Sequence, residues 1–146
     1  MLDTVIQLGA ALVGSLGFSM IFNSGKKTLI PATLGGCLAW GVYLLCAHFG
    51  LGVFLSTIIS AAFCQLYSEI FARVIKCPTT VLYIPAIVPL VPGGSLYYTM
   101  YYSAVADWTM AKQYGVSTLQ VAFGIAVGAS FVSAILLLLP RKKSAK

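Results

Sequence analysis

The sequence predicts an all-α integral membrane protein with five transmembrane helices, the fourth of them broken. Of the 146 residues, 60% are hydrophobic and 8% are charged, whereas about 25% of the residues in a soluble domain are charged. Five apolar stretches approach the length of about 20 residues that a helix needs to cross a bilayer. Proline and glycine cluster inside the fourth stretch. We therefore treat residues 1–146 as a single transmembrane domain and exclude a water-soluble globule.

The first three spans are predicted at about residues 5–22, 29–47 and 51–72, and none of them has a proline cluster in its interior. The first ends at Asn23, followed by a turn-rich segment with two lysines, which is typical of a stop at the membrane surface. No basic region precedes it and no Ala-x-Ala site follows it. The first span is therefore predicted to be a retained helix and not a signal peptide.

The fourth span, residues 81–106, carries three prolines within eight positions and then two glycines. Each proline lacks a backbone donor and clashes with the carbonyl one turn earlier, so a regular helix cannot continue. Irregular backbone at membrane depth is tolerated where protein covers it or where it lines a polar cavity. In transporters, such breaks place half-helix ends at the substrate site. We predict a substrate site formed by Pro89, Pro92, Gly93, Gly94, Ser95 and Tyr98.

Two alternatives to this interpretation stay open. A neighbouring helix would fill the break in one of them, with no ligand, and in the other the segment would be a re-entrant loop. If Ser95 caps a second half-helix, the amides at its start favour an anionic group such as a carboxylate.

The fifth span, residues 116–139, contains no charged residue and is followed by Pro140 and a basic tail. With five spans, eight of the nine bases fall on one side of the membrane, and Lys112 is the exception. Because positively charged loops stay on the cytoplasmic side, the N-terminus is predicted outside and the C-terminus inside.

A few polar residues near the span ends are candidates for gating or coupling, because ionisable groups at membrane depth are expensive and often functional. Glu69 and Arg73 are four residues apart, so the alternative is a simple intrahelical ion pair. The alternative for Asn23 is a helix C-cap. The candidates for gating or coupling are Asn23, Gln65, Glu69 and Arg73.

Other function classes find no support in the sequence. The four cysteines have no CxxC spacing, and one histidine offers too few ligands for a metal site. No nucleophile elbow, HExxH motif or phosphate loop occurs, so we predict neither an enzyme nor a cofactor. The bases stand at helix ends and in a short tail, which favours contact with lipid headgroups over nucleic acid.

Small residues four positions apart predict close helix packing in spans 1, 2 and 5. The pairs are Ala10/Gly14, Ala32/Gly36, Gly35/Ala39 and Gly124/Gly128.

Two segments resemble the threonine/serine exporter (ThrE) family, specifically its short-subunit type. One is the sequence GFSMIFN at residues 17–23. The other is IPAIVPLVPGGSLY at residues 84–97, which is similar to the family's Pro-x-x-Pro-Gly signature. The span layout is similar along the whole chain, including Ser68, Glu69 and Arg73 ahead of the signature.

The resemblance implies a secondary exporter of small metabolites in the bacterial inner membrane, by resemblance threonine and serine, with small dicarboxylates in some relatives. A short subunit corresponds to the second half of a ten-span transporter and needs a larger membrane subunit of the same family. The alternatives are a membrane scaffold or assembly subunit that does not transport, and a homo-oligomer of this chain.

Overall fold

The computed structural model describes residues 2–138, in which every regular element is a helix. The helices are α1 (Leu2–Ile21), α2 (Lys26–His48), α3 (Val53–Ile75), α4 (Thr79–Ile87), α5 (Gly93–Ala104) and α6 (Trp108–Leu138). A 3₁₀ turn, Val88–Leu90, follows α4. The predicted end of the fifth span at residue 139, and the bases Arg141, Lys142, Lys143 and Lys146, lie outside the described residues.

Four helices are long and apolar enough to cross a membrane, namely α1, α2, α3 and α6. The segments Thr79–Leu90 and Gly93–Ala104, taken together, are also long and apolar enough to cross a membrane, and they are bent by 52° at the break between them. If this bent pair is one span, the chain has five spans. The prediction of an all-helical membrane protein is therefore confirmed, with four or five candidate spans and a bend in the segment predicted as the fourth. The orientation of the termini and the choice between a broken span and a re-entrant loop stay predictions.

The helix α6 begins at Trp108, well before the predicted start of the fifth span at residue 116. Asp107 explains this early start, because its side chain accepts a hydrogen bond from the backbone N–H of Met110 at 3.2 Å. An aspartate in this position satisfies one of the free amides of a helix N-terminus. The first turns of α6 pack against α5, where Tyr114 stacks on Tyr102 with 5.6 Å between ring centroids.

The core is built from small residues where α2 meets its neighbours. Ala32, Ala39, Ala61 and Ala86 are fully buried, and the glycines of α2 and α6 allow other helices to approach closely. A Cβ added to Gly35 would lie 2.7 Å from the Tyr67 ring, and one added to Gly124 would lie 2.9 Å from Cβ of Thr57. The predicted small-residue contacts of α2 and α6 are therefore confirmed.

The predicted pair on α1, Ala10/Gly14, makes no close contact with another helix among the described residues. A Cβ added to Gly14 would meet no atom within 4 Å, and Ala10 is exposed. The residues of α1 that are buried are Ala11, Ser15 and Ser19, which also follow each other at intervals of four. The helix α1 carries small residues on more than one face, and packing against α2 and α4 selects this one.

Hydrogen bonds between side chains and carbonyls connect α2 to α3. The Tyr67 hydroxyl donates to the Pro31 carbonyl at 2.9 Å, and the Ser60 hydroxyl donates to the Ala39 carbonyl. Such interhelical bonds are worth roughly 0.6 kcal/mol on average in membrane proteins.

We expect Tyr67→Phe to lower the free energy of unfolding by about 0.6–1.7 kcal/mol, because it removes the bond to Pro31 and keeps the ring contacts. Thermal unfolding in detergent measures the effect. Tyr101→Phe, at a half-exposed ring on α5, is the matched control and should leave the transition unchanged. Equal transitions for both variants would contradict the prediction.

Candidate functional site

The break in the fourth span opens on a cavity of about 230 Å³, which we call the break cavity. Prolines create it, since Pro89 and Pro92 end the helical hydrogen bonding between α4 and α5. The two prolines and Ser95 line one wall, and residues of α2, α3 and α6 line the others. The lining residues are Trp40, Tyr43, Val53, Thr57, Pro89, Leu90, Val91, Pro92, Ser95, Ser117 and Val121.

The polar groups of the break cavity are neutral. Its described lining residues include an indole, a phenol and three hydroxyls, and none of them carries a charge. The Trp40 Nε1 is buried and has no hydrogen-bond partner among the described residues. The Trp40 ring stacks on Tyr43 with 5.0 Å between ring centroids. Trp40 therefore brings a buried donor without an acceptor to the wall of the break cavity.

The start of α5 adds further donors beside this cavity. The backbone N–H of Gly93 donates to the Val91 carbonyl at 2.8 Å, whereas the amides of Gly94 and Ser95 have no acceptor among residues 2–138. Free amides at a helix N-terminus favour negative charge. The expectation that Ser95 caps this helix is wrong, because its hydroxyl donates to the Pro92 carbonyl at 3.2 Å and Pro92 holds the N-cap position.

A second cavity of about 260 Å³ lies on the α1 side of Trp40 and Pro89. Its other lining residues are Gln7, Ala10 and Ala11 of α1. We call it the α1-side cavity. Trp40 and Pro89 line both this cavity and the break cavity.

The predicted substrate-binding residues divide into three groups. Pro89, Pro92 and Ser95 line the break cavity. Gly93 and Gly94 are exposed beside it, and a Cβ added to either would meet no atom within 4 Å. Tyr98 is outside the lining and packs against Tyr114 of α6, with 5.2 Å between ring centroids.

The predicted gating residues lie away from the break cavity. The carboxylate of Glu69 accepts a hydrogen bond from Thr79 at 3.1 Å and lies 3.8 Å from the guanidinium of Arg73. Gln65 donates to the Ser133 hydroxyl of α6 at 3.2 Å. Asn23 has a φ of 50°, and its backbone N–H donates to the Met20 carbonyl, as expected for the end of a helix.

The sequence interpretation missed Trp40, Tyr43, Thr57 and Ser117. Trp40 could have been noticed in the sequence, because tryptophan in membrane proteins concentrates at the interfaces. Trp40 instead lies in the interior of α2, about two turns before its C-terminal end. Thr57 and Ser117 offered no such signal, since hydroxyls are common in packed transmembrane helices. Groups of three or more residues able to hold a metal ion do not occur among residues 2–138.

A multi-span helical protein whose broken helix borders a neutral polar cavity has the architecture of a secondary transporter. The sequence agrees with that class. Residues 7–135 match the family described as threonine/serine exporter, ThrE, and the chain belongs to this family. The match includes both segments that carry the resemblance. No solved structure matches the chain.

Family membership makes the chain a multi-pass membrane protein of an amino-acid export family. That family is a class of transporters and not of enzymes.

Proposed function

We propose that this chain is the short membrane subunit of a two-component secondary exporter of threonine and serine, and that its substrate binds in the break cavity. The observation that carries the proposal is the cavity at the break, which Pro89, Pro92 and Ser95 line together with Trp40, beside the free amides of Gly94 and Ser95. The proposed site residues are Trp40, Pro89, Pro92, Gly93, Gly94 and Ser95, with Tyr98 at its edge.

The chemistry of the break cavity favours an amino acid over a dicarboxylate. One carboxylate would accept from the free amides of Gly94 and Ser95 and from the Trp40 indole. The stacked Trp40 and Tyr43 rings offer an aromatic face to an ammonium group. A second carboxylate would meet no arginine or lysine among the described lining residues. Export of small dicarboxylates is therefore the second candidate.

The surface around the break supports the need for a larger partner subunit. Val91 is 53% exposed, Gly93 and Gly94 are exposed, and α5 has no buried residue. In a membrane, irregular backbone with free amides must be covered by protein or must line a polar cavity. A second membrane chain on this side would cover the break and complete the substrate site. A fully packed scaffold would have no reason to leave this segment open.

In this proposal, the candidate gating residue Glu69 has a structural role at the start of α4. Glu69 and Thr79 join the end of α3 to the start of α4, so the carboxylate sets the angle at which α4 enters the membrane. We infer that the exporter lies in a bacterial inner membrane with this end in the cytoplasm, because Lys26, Lys27, Arg73 and Lys76 cluster there.

The test is an export assay in cells that express this chain, the longer family member, or both. We expect intracellular threonine and serine to fall when both are present and to stay unchanged with either alone. Export by this chain alone would indicate a homo-oligomer. Unchanged threonine, serine and dicarboxylate in all three strains, with both chains present in the membrane, would contradict the proposal and favour a scaffold.

A further inference from the structure

The break cavity lies at one end of the helix bundle. Val53, the first residue of α3, lines the cavity, and Tyr43 lines it close to the end of α2. About 27 Å of helix separates Thr57, which also lines the cavity, from Ile75 at the other end of α3. That other end, where α2 begins and α3 ends, carries a group of basic residues, and we call it the basic end. The basic residues are Lys26, Lys27, Arg73 and Lys76.

Between the break cavity and the basic end, α4 closes the bundle against α2 and α3. Ala86 of α4 and Cys64 of α3 are fully buried in the same cluster, and a Cβ added to Gly35 of α2 would lie 3.2 Å from the Ala86 Cβ. Two clusters of buried residues occupy this part of the bundle, one made of Ala39, Cys64, Ala86 and Leu90 and the other, nearer the basic end, of Ala32, Ala72 and Leu82. A solute could pass along α4 from the basic end to the break cavity only if α4 moved away from α2 and α3.

Few polar contacts hold α4 in this position. Among residues 2–138, one side-chain hydrogen bond joins α4 to another helix, and in it the Thr79 hydroxyl donates to the Glu69 carboxylate at 3.1 Å. Two such bonds join α2 to α3. Pro78 precedes α4 and Pro89 lies in the turn that follows it, so helical hydrogen bonding is interrupted on both sides. These interruptions allow α4 to move as a unit, and the bond from Thr79 to Glu69 fixes its first turn against α3.

The bond from Thr79 to Glu69 borders an open cavity of about 410 Å³ at the basic end. The same carboxylate oxygen lies 3.8 Å from Nε of Arg73, whose side chain is 60% exposed. A charged acceptor makes this bond stronger than one between neutral groups. If the bond broke, water in the cavity would hydrate the carboxylate and the hydroxyl, so no unpaired charge would be left buried. The bond therefore favours the closed position of α4 and is still able to break.

We propose that Glu69 and Thr79 form a latch that holds α4 against α3, and that release of this latch opens the break cavity to the basic end. Both are positioning residues, because they contact each other and lie away from the break cavity. The latch is inferred from the contacts of α4 alone. Its use, in admitting the exported solute from the cytoplasm, rests on the proposed function.

The native Cys64 reports the position of α4, because it is fully buried against this helix. With Cys37, Cys46 and Cys77 replaced by alanine, Cys64 is the one thiol left in the chain. A charged, water-soluble methanethiosulfonate is applied to intact cells and to inverted membrane vesicles. In a cysteine-free chain, Lys27→Cys at the exposed start of α2 identifies the preparation in which the basic end is accessible. This labelling requires neither the partner subunit nor transport.

We expect Thr79→Val to raise the rate of Cys64 labelling from the basic end about threefold to tenfold, because it removes a hydrogen bond to a charged and partly exposed group. Thr79→Ser keeps the donor and should keep the parent rate. Thr80→Val is the matched control, because Thr80 is exposed beside Thr79 and takes no part in the latch. Equal rates for Thr79→Val and Thr80→Val would overturn the inference.

Two further comparisons separate movement of α4 from general loosening of the bundle. A rise in Cys64 labelling that is equal from both sides would mean general loosening and would overturn the inference. In a chain without native cysteines, Ser117→Cys places a thiol in the wall of the break cavity. We expect Thr79→Val to speed its labelling from the basic end too. Faster labelling of Cys64 with no change at Ser117→Cys would mean that the opening stops short of the cavity, which would also overturn the inference.

Export gives a separate test of the role in transport. We expect Thr79→Val to slow threonine export severalfold in cells that contain both subunits, because the transport cycle needs the closed position of α4 as well as the open one. Thr79→Ser should export at the parent rate. Faster labelling with unchanged export would reject the role of the latch in transport. No export by the parent pair would contradict the proposed function, and the labelling would still decide whether the latch exists.

Discussion

Gly36→Leu is expected to prevent the chain from folding, whereas Gly14→Leu is expected to be tolerated. A Cβ on Gly36 overlaps the Ser15 hydroxyl of α1 and lies 3.3 Å from the Ala86 carbonyl of α4. The Ser15 hydroxyl could rotate away, but Ser15 Cβ, at 2.8 Å from the added Cβ, would stay in place, and the Ala86 carbonyl belongs to a helix backbone. Overpacking a core costs typically 1–3 kcal/mol, and the clash here involves two helices at once. We expect a loss of about 3 kcal/mol, at the upper end of that range.

The comparison with Gly14 separates the effect of packing on stability from the effect of helix propensity. Both glycines lie inside long transmembrane helices, so both substitutions gain about the same propensity, roughly 1 kcal/mol. Gly14 has open space where a Cβ would stand. Size-exclusion profiles and unfolding midpoints in detergent measure the difference. A folded Gly36→Leu variant with the same midpoint as Gly14→Leu would show that α1, α2 and α4 do not meet at this point.

The close contacts of α2 and α6 were predictable, whereas the contact face of α1 was not. Spacing by four identifies a face of small residues, and in α2 the pairs Ala32/Gly36 and Gly35/Ala39 lie on faces that other helices cover. On α1, the pair Ala10/Gly14 and the row Ala11, Ser15 and Ser19 have the same spacing. Only the position of α2 and α4 decides between them, and that position is a tertiary property.

For the candidate site, too, the local features were predictable from the sequence and the tertiary contacts were not. Prolines and glycines act on the local backbone, so the break between α4 and α5 could be placed from the sequence. Ionisable residues were chosen because charge is rare in this chain, but Glu69 and Arg73 lie at the end of α3, where Glu69 pairs with Arg73 and accepts a hydrogen bond from Thr79, away from the break. Trp40 reaches the cavity from α2, and no pattern within α2 indicates which residue opposes Pro89.

Trp40→Phe is expected to slow export about tenfold or more and to change the stability of the protein only slightly. Phenylalanine keeps an aromatic ring against Tyr43 and removes the indole N–H. One lost hydrogen bond to a bound solute, worth about 1.4 kcal/mol, corresponds to a factor of ten in affinity. Because the N–H is buried without a partner in the protein alone, its removal relieves a cost in the empty state.

The two readouts together separate binding from packing. The smaller ring leaves a void whatever the role of Trp40, and this cost is partly offset by removal of the unpartnered N–H. If Trp40 only fills space, export falls no further than stability, whereas if the indole binds the substrate, export falls much further. Unfolding temperature and the export of threonine from loaded cells, measured on the same preparations, give both readouts.

Trp108→Phe is the matched control, because Trp108 is 70% exposed at the start of α6 and lies outside both cavities. It should change neither quantity. Substrate dependence sharpens the comparison further. Added threonine should raise the unfolding temperature of the parent exporter, since a ligand that binds the folded state stabilises it. It should raise that of the Trp40→Phe variant less. An equal rise in both proteins would place the threonine site away from the break cavity, whatever the export rates.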